Sequence, residues 1–133
     1  MLPDNSNKQV LLVLLLAYAA ASLVHFVHNA EFIADYPNLP SSWSRTDVYL
    51  AWIAVTVVGI SGWLLFSRGY SRTGLALLAV YAALGLDSLG HYVLAPLSDH
   101  TFGMNATILL EVTAAALVLV EVARQAALKR IEP

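Results

Sequence analysis

Four long apolar runs constrain the fold of this chain more than any other feature. Hydrophobic residues make up 59% of the 133 residues and charged residues 12%, whereas a soluble domain carries roughly 25% charged residues. Each run is long enough to cross a bilayer as a helix, which takes about 20 residues. The predicted helices cover approximately residues 10–33, 47–66, 74–94 and 105–126. The sequence therefore predicts one all-α domain over residues 1–133, an integral-membrane four-helix transmembrane bundle.

The distribution of basic residues predicts the orientation of the bundle. Only Arg45 lies in the two loops that follow the first and third helices, whereas the other basic residues lie at the termini and in the middle turn. These are Lys8, Arg68, Arg72, Arg124, Lys129 and Arg130. Because cytoplasmic segments of membrane proteins are enriched in Lys and Arg, both termini are predicted to be cytoplasmic. We expect a multi-pass protein of a bacterial inner membrane.

Composition also bounds the partners and the chemistry. The chain has no cysteine, which excludes disulfides, thiolate metal sites and cysteine nucleophiles. It has no basic cluster that would indicate nucleic acid. The lipid bilayer is the expected partner. Because four short helices leave little room for a site, a homo-oligomer or a larger membrane complex is also expected.

Three histidines and three carboxylates stand out inside the apolar runs, on three of the four helices. They are His25, His28, Glu31, Asp87, His91 and Glu111. A charge at the centre of a membrane helix costs about 2.5–3.5 kcal/mol on insertion scales, so such residues are functional candidates. At a rise of about 1.5 Å per residue, all six fall in the non-cytoplasmic half of the bilayer. The second helix has no such group and is expected to close the bundle.

The spacing of these residues favours convergence on one point. His25, His28 and Glu31 follow one another at intervals of three, and Asp87 and His91 are four apart. Residues at these spacings share a helix face. Imidazole and carboxylate groups together suit transition metals, and helix bundles hold such metals on inward-facing side chains. The pattern therefore predicts a transition-metal site, iron or zinc, with all six residues as candidate ligands.

The corresponding function is a metal-dependent membrane oxidoreductase or hydrolase that acts on a small or lipid-soluble molecule. Glu31, Asp87 and Glu111 are its candidate catalytic residues. Four further side chains are expected to orient the ligands from a second layer. They are Tyr18, Asn29, Ser88 and Tyr92. Asp99 and His100 lie in the loop before the fourth helix and are expected to be solvated.

Several alternatives stay open from sequence. The cluster can be a metal-free site for proton transfer, a purely structural polar network, or part of a proton or metal-ion transport protein. Haem b can be held by one histidine of the first helix and His91, and the chain can be an accessory subunit of a membrane complex. The segment His28-Asn29-Ala30-Glu31 resembles the first motif of small bacterial membrane proteins named for His-x-x-Glu-Glu, but Phe32 replaces the second acid.

Overall fold

The computed structural model describes residues 5–131, with side chains for residues 6–128. Within this range all regular structure is helical. The α-helices are α1 (Asn5–Glu31), α2 (Arg45–Ser67), α3 (Ser71–Leu86), α4 (His91–Leu94) and α5 (Phe102–Ile131). Short 3₁₀ turns cover Ile33–Asp35, Asp87–Gly90 and Leu97–Asp99. The side chains of Lys129 and Arg130, on which the predicted orientation partly depends, lie outside the described residues.

The prediction of four helices long and apolar enough to cross a membrane is confirmed. The candidate spans are Ser6–Glu31, Arg45–Ser67, Ser71–Leu94 and Phe102–Leu128. Each begins earlier than predicted, because polar residues beside the apolar run also become helical. At α2 the cause is visible, since Ser44 and Asp47 form a reciprocal capping box at its start. The third span is interrupted by the 3₁₀ turn at Asp87–Gly90, which joins α3 to α4.

The long helices pack in a ring in the order α1, α2, α3, α5. We call the end with the start of α1, the end of α5 and the 68–70 turn the lower end, and the end with the 32–44 and 95–101 segments the upper end. The lower half holds an apolar core contributed by all four helices. Its buried members are Leu11, Leu15, Tyr18, Phe66, Leu75, Leu78, Tyr81, Ala82, Ala115, Val118 and Val122. Exposed Leu, Ile and Val side chains cover much of the outside.

Close approach between α1 and α3 depends on one glycine at the top of this core. The Tyr18 and Tyr81 rings lie 4.4 Å apart, and the Tyr18 hydroxyl donates a hydrogen bond to the Tyr81 carbonyl oxygen at 3.0 Å. A Cβ atom on Gly85 would overlap the Tyr18 hydroxyl. Glycine therefore lets the phenol reach the α3 backbone, as small residues do at helix contacts in lipid.

The upper half of the bundle is built differently from the lower half. The 32–44 segment folds back over the helix ends, and its Tyr36 is buried against Met104 and Ile108 of α5. Asn38 anchors the segment by donating to the carbonyl oxygen of Leu94 at 2.9 Å. Between this cover and the lower core lie most of the ionisable side chains of the spans. The fold thus places polar groups in an enclosed layer at the upper end.

Candidate functional site

A cavity of about 510 Å³ opens at the upper end between α1, α2 and the α3–α4 segment. Its polar side chains come from α1 and from the 3₁₀ turn and α4: His25, Asn29, Asp87, Ser88 and His91. Helix α2 and the 32–44 segment supply mainly apolar wall. A concave, largely apolar space with a few convergent polar groups has the usual composition of a small-molecule site.

His25 and Glu111 form a buried pair behind the polar side of this cavity. The two residues are 2% and 0% exposed, and His25 Nε2 lies 3.7 Å from Glu111 Oε2. The Ser88 hydroxyl donates to the same Glu111 oxygen at 2.5 Å. Glu111 Oε1 has no hydrogen bond of normal geometry. Because His25 and Ser88 line the cavity and both face Glu111, the carboxyl group lies one side chain away from a bound molecule.

The tautomer of His25 follows from its other nitrogen. His25 Nδ1 lies 3.3 Å from Thr107 Oγ1, and the Thr107 hydroxyl donates its own proton to the Met104 carbonyl oxygen. Thr107 can then only accept from His25, which places the ring hydrogen on Nδ1. The lone pair of Nε2 consequently points toward Glu111. A lone pair and an ionised carboxylate oxygen that face each other repel, so this buried pair is arranged to take up one proton between Nε2 and Oε2.

His91 extends the polar layer from α4. Its ring lies 5.4 Å from the His25 ring in an edge-on arrangement, measured between centroids. Its Nε2 is 3.1 Å from Asn29 Nδ2, so an amide N–H of Asn29 donates to the imidazole. This contact fixes the orientation of the ring. Because the amide donates to Nε2, that nitrogen must be unprotonated, as it is in neutral imidazole. Asp87 lines the same cavity from the preceding turn.

Tyr36 joins the remaining histidines above the cavity. Its hydroxyl lies 3.0 Å from His28 Nδ1, and its ring lies 4.9 Å from the His91 ring and 6.5 Å from the His100 ring. Burial raises the pKa of Tyr36 to about 12. His100 is 6% exposed, contrary to the expected solvation, because the 95–101 segment folds inward and the Pro96 carbonyl oxygen binds His100 Nδ1 at 3.0 Å.

Glu31 does not join the other predicted site residues. Its Oε1 forms a salt bridge with Arg45 Nη2 at 2.7 Å and accepts a hydrogen bond from the Tyr49 hydroxyl at 2.7 Å. The pair is exposed and ties the end of α1 to the start of α2. Glu31 lies at the last residue of its helix, where a cation on the next helix can reach it without entering the bundle.

His28 also stands apart from the cavity. It packs against Gly103 of α5, where an added Cβ would lie 2.9 Å from His28 Nε2, and it bonds Tyr36 rather than a carboxylate. Of the predicted second-layer residues, Asn29 and Ser88 contact His91 and Glu111 respectively. Tyr18 bonds the α3 backbone, and Tyr92 donates to Asn105 Oδ1 at 2.8 Å beside His100.

The described residues contain no group of three or more His, Asp or Glu side chains that could hold a metal ion. Two features are consistent with this absence. His25 Nε2 and Glu111 Oε2 lie 3.7 Å apart, and Asn29 occupies the Nε2 of His91. The predicted iron or zinc ligand set is thus dispersed: Glu31 lies outside, His28 lies above, and His25 and Glu111 face each other. His25 and His91, the histidines of the haem b alternative, contact each other edge-on, and their Nε2 atoms face Glu111 and Asn29 respectively.

Sequence reasoning missed Tyr36 and Thr107 and placed His100 in solvent. Tyr36 follows the predicted helix end in a segment rich in turn residues, where no periodicity indicates burial. Thr107 lies four residues before Glu111 on the same α5 face.

Comparison with protein-family models, with curated proteins and with solved structures found no match.

Proposed function

We propose that this chain is a multi-pass membrane protein that binds a small, largely apolar molecule in the upper cavity and exchanges a proton with it. The observation that carries the proposal is the buried His25–Glu111 pair, 3.7 Å apart, directly behind a cavity of about 510 Å³. We place both termini in the cytoplasm, from the distribution of Arg and Lys. The cavity then lies in the non-cytoplasmic half of the bilayer.

A proton route follows from the contacts. Ser88 lines the cavity and donates to Glu111 Oε2. An acidic hydrogen of a bound molecule can pass to Ser88 Oγ as the Ser88 proton passes to Glu111, and the proton can continue to His25 Nε2. The bound molecule loses one proton, the pair gains one, and Ser88 ends unchanged. The reverse sequence returns the proton. A positioned acid–base group of this kind contributes about 10²–10⁴-fold to a proton-transfer reaction.

The proposed proton exchange involves no metal, because histidine nitrogens at the cavity already have protein partners. Each nitrogen of His25 has a protein partner, and the Nε2 of His91 is engaged by Asn29. The iron or zinc site, the haem b alternative, a transport role, and a role as an accessory subunit or in a homo-oligomer stay predictions from sequence. So does the bacterial inner membrane.

The proton-holding pair can be tested by NMR on isotope-labelled protein in lipid bilayers. The ¹⁵N shifts of His25 distinguish the Nδ1–H tautomer, the Nε2–H tautomer and the imidazolium, and the ¹³C shift of the Glu111 carboxyl reports its protonation. We expect the Nδ1–H tautomer and the uptake of one proton by the pair on acidification. In Glu111→Gln the amide donates to Nε2, so His25 should stay neutral over the same pH range. An Nε2–H tautomer in the wild type would overturn the proposed pair.

Binding can be tested in the same samples with 4-phenylbutanol, a neutral probe with an apolar body. We expect it to shift the ring resonances of His25 and His91, which line the cavity. His100 does not line it and serves as a control within the molecule. Shifts that are equal at all three rings would indicate a general solvent effect and would count against a cavity site.

A further inference from the structure

Asp87 is a carboxylate without a cation. The salt bridges formed by the described side chains involve His25 with Glu111, Arg45 with Glu31, and Arg124 with Glu121. None of these reaches Asp87, although this residue lines the upper cavity. A carboxylate inside a span is costly, by about 2.5–3.5 kcal/mol at the helix centre on insertion scales, and such residues face cavities or partners. Its position in the cavity wall therefore indicates a ligand of opposite charge.

The rest of the cavity determines the other end of the ligand. Much of the remaining wall is formed by aromatic and branched aliphatic side chains: Phe26, Trp43, Val48, Val55, Leu84 and Val93. A volume of about 510 Å³ falls within the range of about 300–1,000 Å³ that is usual for sites of drug-sized molecules. A ligand that fills it must bury an apolar body against these residues and place a polar group near Asp87.

The other polar groups of the cavity do not neutralise Asp87. His25 is turned toward Thr107 and Glu111, and the Nε2 of His91 is turned toward Asn29. With the histidines neutral, the cavity lining carries one formal negative charge. That charge repels carboxylates and phosphates and attracts an ammonium group, whose N–H donors form charge-assisted hydrogen bonds with a carboxylate. A metal ion is disfavoured, because one carboxylate is an incomplete ligand set.

We propose that the upper cavity selects amphipathic amines, with the ammonium group on Asp87 and the apolar body against Trp43 and the α2 wall. The inference rests on the proposed function, since it names the class of molecule that occupies that site. The 3₁₀ turn at Asp87–Gly90 fits this proposal, because its first two residues, Asp87 and Ser88, both line the cavity. The ammonium group would then lie beside the entrance of the Ser88 proton route.

The test compares three probes with one apolar body: 4-phenylbutylammonium, 4-phenylbutanol and 4-phenylbutanoate. Equilibrium dialysis against protein in a nonionic detergent gives a dissociation constant for each, with empty micelles as the correction for partitioning. We expect the ammonium probe to bind about tenfold more tightly than the alcohol, a difference of about 1.4 kcal/mol. The carboxylate should bind most weakly.

Two variants separate the role of Asp87 from general electrostatics. Asp87→Asn keeps the shape of an exposed side chain, so it should leave alcohol binding unchanged and bring the ammonium probe to within about twofold of the alcohol. Glu31→Gln removes a carboxylate outside the cavity and should preserve the tenfold preference.

The possible failures are distinguishable. If none of the three probes binds, the proposed function is overturned and this inference with it. If the alcohol binds but the ammonium probe has no advantage, or if Asp87→Asn retains the advantage, the amine selectivity is overturned while the cavity site stands.

Discussion

Replacing His25 and Glu111 by leucine, singly and together, tests whether the two side chains act as a unit. His25→Leu leaves a fully buried carboxyl facing an apolar group, although Ser88 still donates to its Oε2. Glu111→Leu leaves His25 Nε2 and the Ser88 hydroxyl without their partner. Each single substitution strands a buried polar group, which costs about 1–3 kcal/mol.

The double variant removes both partners, so the penalty for an unpaired group is not incurred twice. We therefore expect it to be more stable than the sum of the single effects predicts, by about 1–2 kcal/mol. This is near the upper limit of about 1.7 kcal/mol measured for hydrogen bonds between membrane helices. The high value is justified because both residues are almost fully buried and face each other across α1 and α5.

The assay is reversible unfolding in mixed micelles, with the free energy of unfolding determined for the wild type, the two single variants and the double variant. Tyr92→Phe combined with Glu111→Leu is the matched control, because Tyr92 bonds Asn105 and shares no hydrogen-bond partner with Glu111. The control pair should be additive within about 0.5 kcal/mol. Additivity of the same quality for His25 and Glu111 would refute the pairing.

Three further predictions concern other parts of the fold. Gly85→Ala forces a methyl group onto the Tyr18 hydroxyl and should lower the free energy of unfolding by about 1–3 kcal/mol. In the control Gly90→Ala, the new Cβ meets no atom within 4 Å, so this variant should be as stable as the wild type or more stable in the same assay. Glu31→Gln breaks only an exposed ion pair and should change the free energy of unfolding by less than about 1 kcal/mol; a larger loss would place Glu31 in the core network. Tyr36 should ionise near pH 12 rather than near 10.0 in an ultraviolet titration compared with Tyr36→Phe. Because its folded pKa is raised, its contribution to stability is complete below pH 10.0 and is lost as the pH rises toward 12, and ionisation at the ordinary pH would show that it is solvated.

The positions of the four spans could be predicted from sequence because hydropathy over about 20 residues depends little on tertiary detail. The ends of the helices were harder to predict, because a capping box such as that of Ser44 and Asp47 extends a helix into polar sequence. The glycines on either side of Asp87, Gly85 and Gly90, permit a break in the third helix, but they did not define the 3₁₀ turn that the structure has at Asp87–Gly90.

The candidate site could be predicted in part. Depth along the helix placed His25, His91 and Glu111 at one level, and the structure brings their side chains close together. Depth does not define how each helix is rotated or which neighbour competes for a side chain. Glu31 follows His25 and His28 at intervals of three residues, which predicts a shared helix face. It lies at the last residue of α1, however, where Arg45 binds it outside the bundle.

The burial of the loop residues Tyr36 and His100 could not be predicted from sequence, for a different reason. Tyr36 and His100 belong to segments that a sequence pattern assigns to solvent, yet both segments fold over the bundle and bury these rings. Their burial depends on contacts with Met104 and the Pro96 carbonyl oxygen, which no local pattern encodes.

Ionisable groups of α1 and α5, those of His25 and Glu111, meet behind the upper cavity. The most direct measurement is the dipolar coupling between ¹⁵Nε2 of His25 and the ¹³C carboxyl carbon of Glu111 in bilayers, with each signal assigned by its loss in the corresponding variant. We expect a weak but measurable coupling, because dipolar coupling falls with the cube of the distance and Nε2 lies 3.7 Å from Oε2. The absence of a measurable coupling would contradict the account.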